Sequence, residues 1–173
     1  MYEKKGGSHY SDAELQASVR AIRQALQEEG QCILPVTGNS MEPVLSSHDL
    51  VVVRRLHQVE IGEVVAVATP QGVSIHRIVA VHNGKVYTAG DSNLLAEGPF
   101  SRTHILGHAV GKLDVHGSLV PLPKWSEDTV GLPPLCFTLV NAVPEDLPSI
   151  AQVCKAGICV RVVEKKAARV ISG

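Results

Sequence analysis

Residues 72–90 read Gly-Val-Ser-Ile-His-Arg-Ile-Val-Ala-Val-His-Asn-Gly-Lys-Val-Tyr-Thr-Ala-Gly, and this stretch carries the clearest structural signal in the chain. Two runs rich in valine, isoleucine and alanine flank Asn83-Gly84, and β-branched residues favour strands. A two-residue type I′ turn needs a positive φ at both central positions, which Asn-Gly adopts at little cost. The stretch therefore predicts a β-hairpin with strands near 72–82 and 85–90.

The register of this hairpin follows by counting outward from the turn. If Asn-Gly is the whole loop, His82 opposes Lys85, and the same count places His76 opposite Asp91. The Cβ atoms of such a pair lie roughly 4.5–5.5 Å apart on one face of the sheet. A carboxylate there can hold one ring nitrogen and leave the other free to accept a proton. A bulge at Gly90 would move Asp91 to the other face, so the pairing requires a regular ladder.

Further strands are expected on both sides of the hairpin. Apolar runs bounded by turn residues predict them near 32–36, 49–56, 62–69 and 105–115. Aromatic residues make up only 3% of the sequence, so Val, Leu, Ile and Ala must build the core. The pattern predicts a mainly β fold, either a curled antiparallel sheet or a small barrel.

One helix is predicted ahead of the sheet, over residues 11–30. Ser11 and Glu14 have the spacing of a capping box. The apolar residues that follow recur at helical spacing, as Leu15, Val19, Ile22 and Leu26. The predicted organisation is a flexible tail at 1–10, the helix at 11–30, a β domain at 31–115 and a proline-rich extension at 116–173.

Four cysteines do not make a disulfide scaffold in a chain of 173 residues. Cys154 and Cys159 flank a predicted hairpin tip within the C-terminal extension. They could face each other across that hairpin, or they could be two small buried apolar residues.

Composition and charge also limit the classes of binding partner that we expect. Sixteen Lys and Arg residues nearly balance 17 Asp and Glu residues, so no nucleic-acid partner is expected. No stretch reaches the roughly 18 apolar residues that span a bilayer, and residues 1–7 are no secretory signal. We expect a cytoplasmic protein without an integral membrane segment; peripheral membrane contact and the oligomeric state stay open.

Ser40 lies in the run Gly38-Asn39-Ser40-Met41-Glu42-Pro43. Gly38 and Asn39 allow an unusual backbone that can expose both the hydroxyl and N–H groups suited to an oxyanion. Met41 is apolar and is expected to anchor the segment against the core. With a histidine and an aspartate elsewhere in the chain, this serine completes the set needed for a nucleophile, its base and an orienting acid.

No metal or cofactor is predicted. His104 and His108 are four positions apart, but no cysteine or acid lies at a suitable spacing for a metal site. A glycine-rich phosphate loop is absent from the sequence.

Four short blocks follow one another along the chain: Gly-Asn-Ser-Met-Glu-Pro at 38–43, Gly-Glu-Val-Val at 62–65, His-Arg-Ile-Val at 76–79 and Gly-Asp-Ser-Asn at 90–93. In this order they resemble the signal peptidase I family and its relatives, a superfamily that includes the LexA-type self-cleaving repressors. The resemblance covers about residues 33–113 and implies the LexA/signal peptidase fold. One branch of the superfamily uses a lysine base, and the archaeal and endoplasmic-reticulum branch uses a histidine in a His-Arg motif. This sequence is similar to the second branch, which implies Ser40 as nucleophile, His76 as general base and Asp91 as supporting acid.

Three departures from the family pattern accompany the resemblance. Gly38 stands where a serine often helps to hold the oxyanion, so Asn39 or the backbone N–H of Ser40 would have to serve. Glu97 stands where a second aspartate often lies and is a longer substitute. No membrane anchor of the signal peptidase kind is expected, and residues 1–39 show no helix-turn-helix of the kind that LexA-type repressors carry.

The resulting prediction is a serine endopeptidase, signal-peptidase-like, that acts on a peptide or protein. The resemblance implies an extended substrate alongside an exposed strand, with small residues before the cut. Two alternatives remain: a non-catalytic peptide-binding or regulatory module that keeps the fold, and a self-processing protein.

Overall fold

The computed structural model describes residues 11–93 and 95–123, together with the backbone of two strands at 135–140 and 158–163. Its elements, in chain order, are α1 (Asp12–Glu28), β1 (Gln31–Pro35), β2 (Leu50–Arg54), β3 (Val64–Thr69), β4 (Gly72–His82), β5 (Lys85–Ala89), β6 (Glu97–Ser101), β7 (Ile105–Leu113), β8 (Leu119–Pro121), β9 (Leu135–Val140) and β10 (Ile158–Val163). A short 3-10 turn, Arg102–His104, joins β6 to β7.

Helix α1 begins with the predicted capping box. The Glu14 N–H donates to the Ser11 hydroxyl, and the Glu14 carboxylate accepts from the Ser11 N–H at 2.7 Å. The predicted apolar stripe packs on the sheet, with Val19, Ile22 and Leu26 buried and Leu15 partly buried. At the other end, the Arg55 side chain donates to the carbonyls of Leu26 and Gln27. This cation lies where the helix dipole favours positive charge.

The sheet is antiparallel and curls into a half-barrel, which confirms the predicted mainly β class. Its strand order is β1-β2-β7-β3-β4-β5-β6, with β8 paired to β7. The register shifts in four of its ladders, and such bulges increase the local twist and bend of strands. Strand β6 was not predicted, because Gly98 and Pro99 in its middle are residues that usually interrupt strands.

The turn between β4 and β5 is the predicted one. Asn83 and Gly84 both have positive φ, at 48° and 73°. The first three cross-strand pairs confirm the count from the turn: His82 with Lys85, Val81 with Val86, and Ala80 with Tyr87.

Beyond those pairs the predicted register is wrong. The ladder shifts between Ile78 and Ala80, so Arg77 pairs with Ala89. Counting on from that pair places His76 opposite Gly90 rather than opposite Asp91. The sequence allowed for a bulge at Gly90. The bulge lies instead in β4, between Ile78 and Ala80, where a run of apolar residues gives no sequence signal for a bulge.

The core between α1 and the inner face of the sheet includes the segment after β1. Met41 is buried there, as predicted, beside Leu45 and Val36. A second buried cluster on the sheet is formed by Val65, Val67, Ile78, Val86 and Ile105. The segment that carries Ser40 is therefore fixed by apolar contacts on one side.

The two strands of the C-terminal region pair in parallel, with Cys159 opposite Cys136. Some Cα atoms of β10 lie within 8 Å of Cα atoms of β4. Cys154, the predicted hairpin tip and the tail at 1–10 lie outside the described residues. No helix among the described residues is long and apolar enough to cross a bilayer.

Candidate active site

One contact joins the predicted nucleophile, Ser40, to the predicted base, His76. The Ser40 Oγ lies 3.1 Å from the His76 Nε2, although the two residues are 36 positions apart. Ser40 lies in the turn that follows β1, and His76 lies in β4 and is only 6% exposed. Hydrogen-bond reach between a nucleophile and its base is about 2.6–3.2 Å. A proton can therefore pass directly from this hydroxyl to this ring.

Gly90 provides the space for this contact. A Cβ added to Gly90 would overlap the carbonyl oxygen of Ser40 and lie 2.7 Å from its Cβ. The Ser92 N–H also donates to the Ser40 carbonyl at 2.9 Å, and the Ser92 hydroxyl donates to the Asn39 carbonyl at 2.8 Å. The Gly-Asp-Ser-Asn block at 90–93 thus holds the serine segment in place, a role that the sequence reasoning missed.

Asp91 does not fill the position predicted for it. The Arg77 Nε donates to its Oδ1 at 2.7 Å and the Arg77 Nη2 donates to its Oδ2 at 2.8 Å. Both side chains are buried, at 0% and 2% exposed. The Arg77 Nη1 also donates to the carbonyls of Gly62 and Pro123. The predicted contact between Asp91 and His76 is wrong because the bulge in β4 brings Arg77, not the histidine, to this carboxylate.

Glu97 is the carboxylate beside the histidine. Its Oε2 lies 3.3 Å from the His76 Nδ1, and its side chain is 47% exposed. The pKa of Glu97 is lowered from its ordinary value by the hydrogen-bonding contact with His76, against an opposing effect of burial. The ring N–H is not well aligned, since Nδ1 has no hydrogen bond of good geometry to any described residue. The carboxylate is close enough to attract an imidazolium but is not locked onto it.

A cleft leads away from this pair. A part of about 150 Å³ adjoins Ser40 and His76, and a part of about 530 Å³ lies between α1, the end of β1 and the start of β4. The two parts adjoin each other, since Pro35, Thr37, Val73, Ser74 and Ile75 line both. Among the described residues that line them, His76 is the only titratable one.

Two strand edges border this cleft. In the pairings of the described strands, residues 72–76 of β4 are bonded to β3 alone, because β5 pairs only from Arg77 onward. Strand β1 is likewise bonded only to β2 within the described sheet. Within the described pairings, the outer backbone groups of residues 72–76 and of β1 make no ladder hydrogen bonds, and strand edges of this kind can pair with an extended chain.

The remaining candidates occupy separate places. Gly38 and Asn39 are exposed beside Ser40, and a Cβ added at Gly38 would meet no atom within 4 Å. The His104 Nδ1 lies 2.7 Å from the Ser101 hydroxyl, and the His108 Nε2 lies 3.8 Å from the Glu63 carboxylate. Within the described part of the chain, no three His, Cys, Asp or Glu residues are grouped as metal ligands.

Gly90→Ala tests how the serine is held. The added methyl group would displace Ser40 from His76, and we expect the distance between the Ser40 Oγ and the His76 Nε2 to exceed hydrogen-bond reach. Gly38→Ala is the steric control, because it adds a methyl group in open space and should keep the distance between Ser40 and His76. Crystal structures of both variants measure this distance. An unchanged distance in Gly90→Ala would contradict this account of the packing.

The family model described as Peptidase S24-like matches residues 3–110, more than half of the 173 residues. The matched range includes Ser40, His76 and Glu97. No curated protein matches the chain.

Proposed function

We propose that this chain, which belongs to the Peptidase S24-like family, is a serine endopeptidase whose nucleophile is Ser40 and whose general base is His76. The observation that carries the proposal is the 3.1 Å contact between the Ser40 hydroxyl and the buried His76 ring. Family membership supports a hydrolase of the peptidase kind. The contact between Ser40 and His76 supports a chain that keeps its catalytic activity.

The proposed reaction uses four groups. Ser40 Oγ attacks the peptide carbonyl while His76 Nε2 takes its proton, and the Glu97 carboxylate stabilises the imidazolium that forms. The imidazolium then protonates the leaving amine, and a water molecule, deprotonated by the same ring, releases the acyl group from Ser40. The Ser40 N–H donates to no described residue and is available to the oxyanion, for which Gly38 offers no side chain.

The arrangement favours the histidine-base branch of the signal peptidase superfamily. His76 lies within hydrogen-bond reach of Ser40, and Arg77, the next residue of the His-Arg motif, binds Asp91. In this chain the aspartate is then a structural partner, and Glu97 is the acid that acts on the ring.

The cleft indicates the substrate class. An extended peptide can add to the open edge of β4 by backbone hydrogen bonds, and alternate side chains then enter the cleft. Because the described lining carries no fixed charge, we expect an uncharged run of residues on the amino side of the cut. The 150 Å³ part beside Ser40 accommodates a small side chain before the scissile bond.

A fluorophosphonate probe and a set of extended peptides test this function. We expect one equivalent of probe on the tryptic peptide that contains Ser40, and cleavage of uncharged peptides with a small residue before the cut. Matched peptides with one lysine or aspartate in that run should be cut more slowly. Peptide binding without labelling or cleavage would instead support the non-catalytic module, and a shortened species on storage would support self-processing.

Glu97→Gln tests the role of the carboxylate. We expect kcat to fall by roughly 10- to 100-fold, less than the ~10⁴ seen for a buried triad acid, because this side chain is half exposed. A carboxyl whose pKa is depressed on folding stabilises the protein above its ordinary pKa, 4.5 for Glu97, and loses that contribution as the pH falls. The difference in unfolding free energy between the wild type and the variant should therefore shrink on acidification. A pH-independent difference would contradict the ion pair.

A further inference from the structure

The hydroxyl of Thr88 is a buried polar group that the proposed mechanism does not use. Thr88 lies in β5 and is 0% exposed, and its Oγ1 has no hydrogen-bond partner among the described residues. A buried hydroxyl without a partner destabilises the folded state, whereas a valine of the same shape would not. We therefore expect the Thr88 hydroxyl to have a hydrogen-bond partner.

The sheet register places this hydroxyl beside the candidate site. Thr88 pairs with Ile78 of β4 on one side and with Glu97 of β6 on the other. Directly paired residues share a face with Cβ atoms roughly 4.5–5.5 Å apart, and diagonal neighbours are roughly 7–8 Å apart. His76 precedes Ile78 by two positions and is the diagonal neighbour of Thr88.

Two buried polar atoms without well-aligned partners thus belong to residues that neighbour Glu97. They are the Thr88 Oγ1 and the His76 Nδ1. The carboxylate of Glu97 already lies 3.3 Å from that ring nitrogen. The ladder between β5 and β6 has a bulge here, since its register shifts between Val86 and Thr88. Gly98 lies in this bulge with a φ of 128°, and a Cβ there would meet the Val86 carbonyl at 2.9 Å.

We propose that Thr88 is a positioning residue for the reaction: its hydroxyl donates a hydrogen bond to the Glu97 carboxylate as that carboxylate aligns with the His76 Nδ1. A rotation of the half-exposed Glu97 side chain then gives both the Thr88 Oγ1 and the His76 Nδ1 a hydrogen-bond partner. This inference rests on the roles proposed above for His76 and Glu97. It also explains how a glutamate, longer and more mobile than an aspartate, can be held on the ring.

Other charged groups near the ring belong to different contacts. Across β3 the partner of His76 is the apolar Val65, and beyond it His108 lies close to Glu63. The Arg77 guanidinium on the neighbouring position of β4 binds Asp91. Within the described residues, Glu97 is the carboxylate on the Nδ1 side of the ring.

The test compares Thr88→Val, which removes the hydroxyl, with Thr88→Ser, which keeps it, in the full chain. Carboxyl ¹³C NMR follows the titration of Glu97, and peptide cleavage gives the pH profile of kcat/KM. In Thr88→Val we expect the pKa of Glu97 to rise toward its ordinary value by about 0.5. We also expect kcat to fall roughly three- to tenfold. The acid limb of the pH profile of kcat/KM should move to higher pH with the pKa of Glu97. Thr88→Ser should restore the pKa, the kcat and the pH profile.

The outcomes separate this inference from the proposed function. An unchanged Glu97 titration in Thr88→Val, with a higher melting temperature, would mean that the hydroxyl has no partner and would overturn the inference. A shifted titration in a chain that cleaves no peptide would support the hydrogen bond while the peptidase function fails. Should the valine variant not fold, Thr88→Ala removes the same hydroxyl with a smaller side chain and gives the same readouts.

Discussion

Ser40→Ala is expected to abolish labelling by the fluorophosphonate and to lower kcat for peptide cleavage by about 10³- to 10⁶-fold, the range seen when a nucleophile is removed. The loss follows from the geometry, because the Ser40 Oγ is the hydroxyl within reach of the His76 Nε2. The fold should be unaffected. The backbone of Ser40 keeps its bond from the Ser92 N–H, and the lost hydroxyl contact is worth about 1 kcal/mol of unfolding free energy.

Ser47→Ala is the matched control for this variant. Ser47 lies in the same loop between β1 and β2, and its hydroxyl makes no hydrogen bond to the described residues. Labelling and cleavage should stay at the wild-type level in Ser47→Ala, and the melting temperatures of the two variants should be similar. Persistent labelling of Ser40→Ala would remove this serine from the role of nucleophile.

Most of the fold that positions Ser40 and His76 could be predicted from local chemistry. The capping box, the apolar stripe of the helix and the Asn-Gly turn each depend on a few neighbouring residues, and each was confirmed. Strand β6, which carries Glu97, was not predicted because Gly98 and Pro99 interrupt its pattern, and its ladder with β5 shifts register between Val86 and Thr88. Local signals thus predicted the elements and failed where an element departs from regular geometry.

The partner of the histidine could not be predicted from the turn alone. A one-residue shift at Val79 changes every pair further from the turn, and a valine in a run of apolar residues gives no sign of a bulge. The acid at Asp91 was consequently assigned to the wrong partner. Glu97 entered only through the family resemblance, because no register could be counted for a strand that was not predicted.

Arg77→Met is expected to give the largest loss of stability. It leaves the Asp91 carboxylate buried without its bidentate partner, and breaking a buried pair in this way costs about 3–5 kcal/mol. Asp91→Asn should cost less, because it removes the opposing charge of the buried guanidinium while the carbonyls of Gly62 and Pro123 still accept from Arg77. Since small domains are stable by only about 5–15 kcal/mol, urea unfolding should show both midpoints lowered, that of Arg77→Met more strongly.

Lys112→Met provides the comparison that separates burial from charge pairing. Its ammonium lies 2.9 Å from the Asp49 carboxylate, much like the Arg77 pair, but the two side chains are 31% and 24% exposed. Partly exposed pairs contribute about 1 kcal/mol or less, so this variant should unfold near the wild-type midpoint. Equal losses in the two variants would contradict the argument from burial.

The double variant Arg77→Met/Asp91→Leu should recover part of the stability, since it leaves no unpaired charge. It should not recover cleavage to the same extent, because the Arg77–Asp91 pair joins the strand of His76 to the turn that holds Ser40.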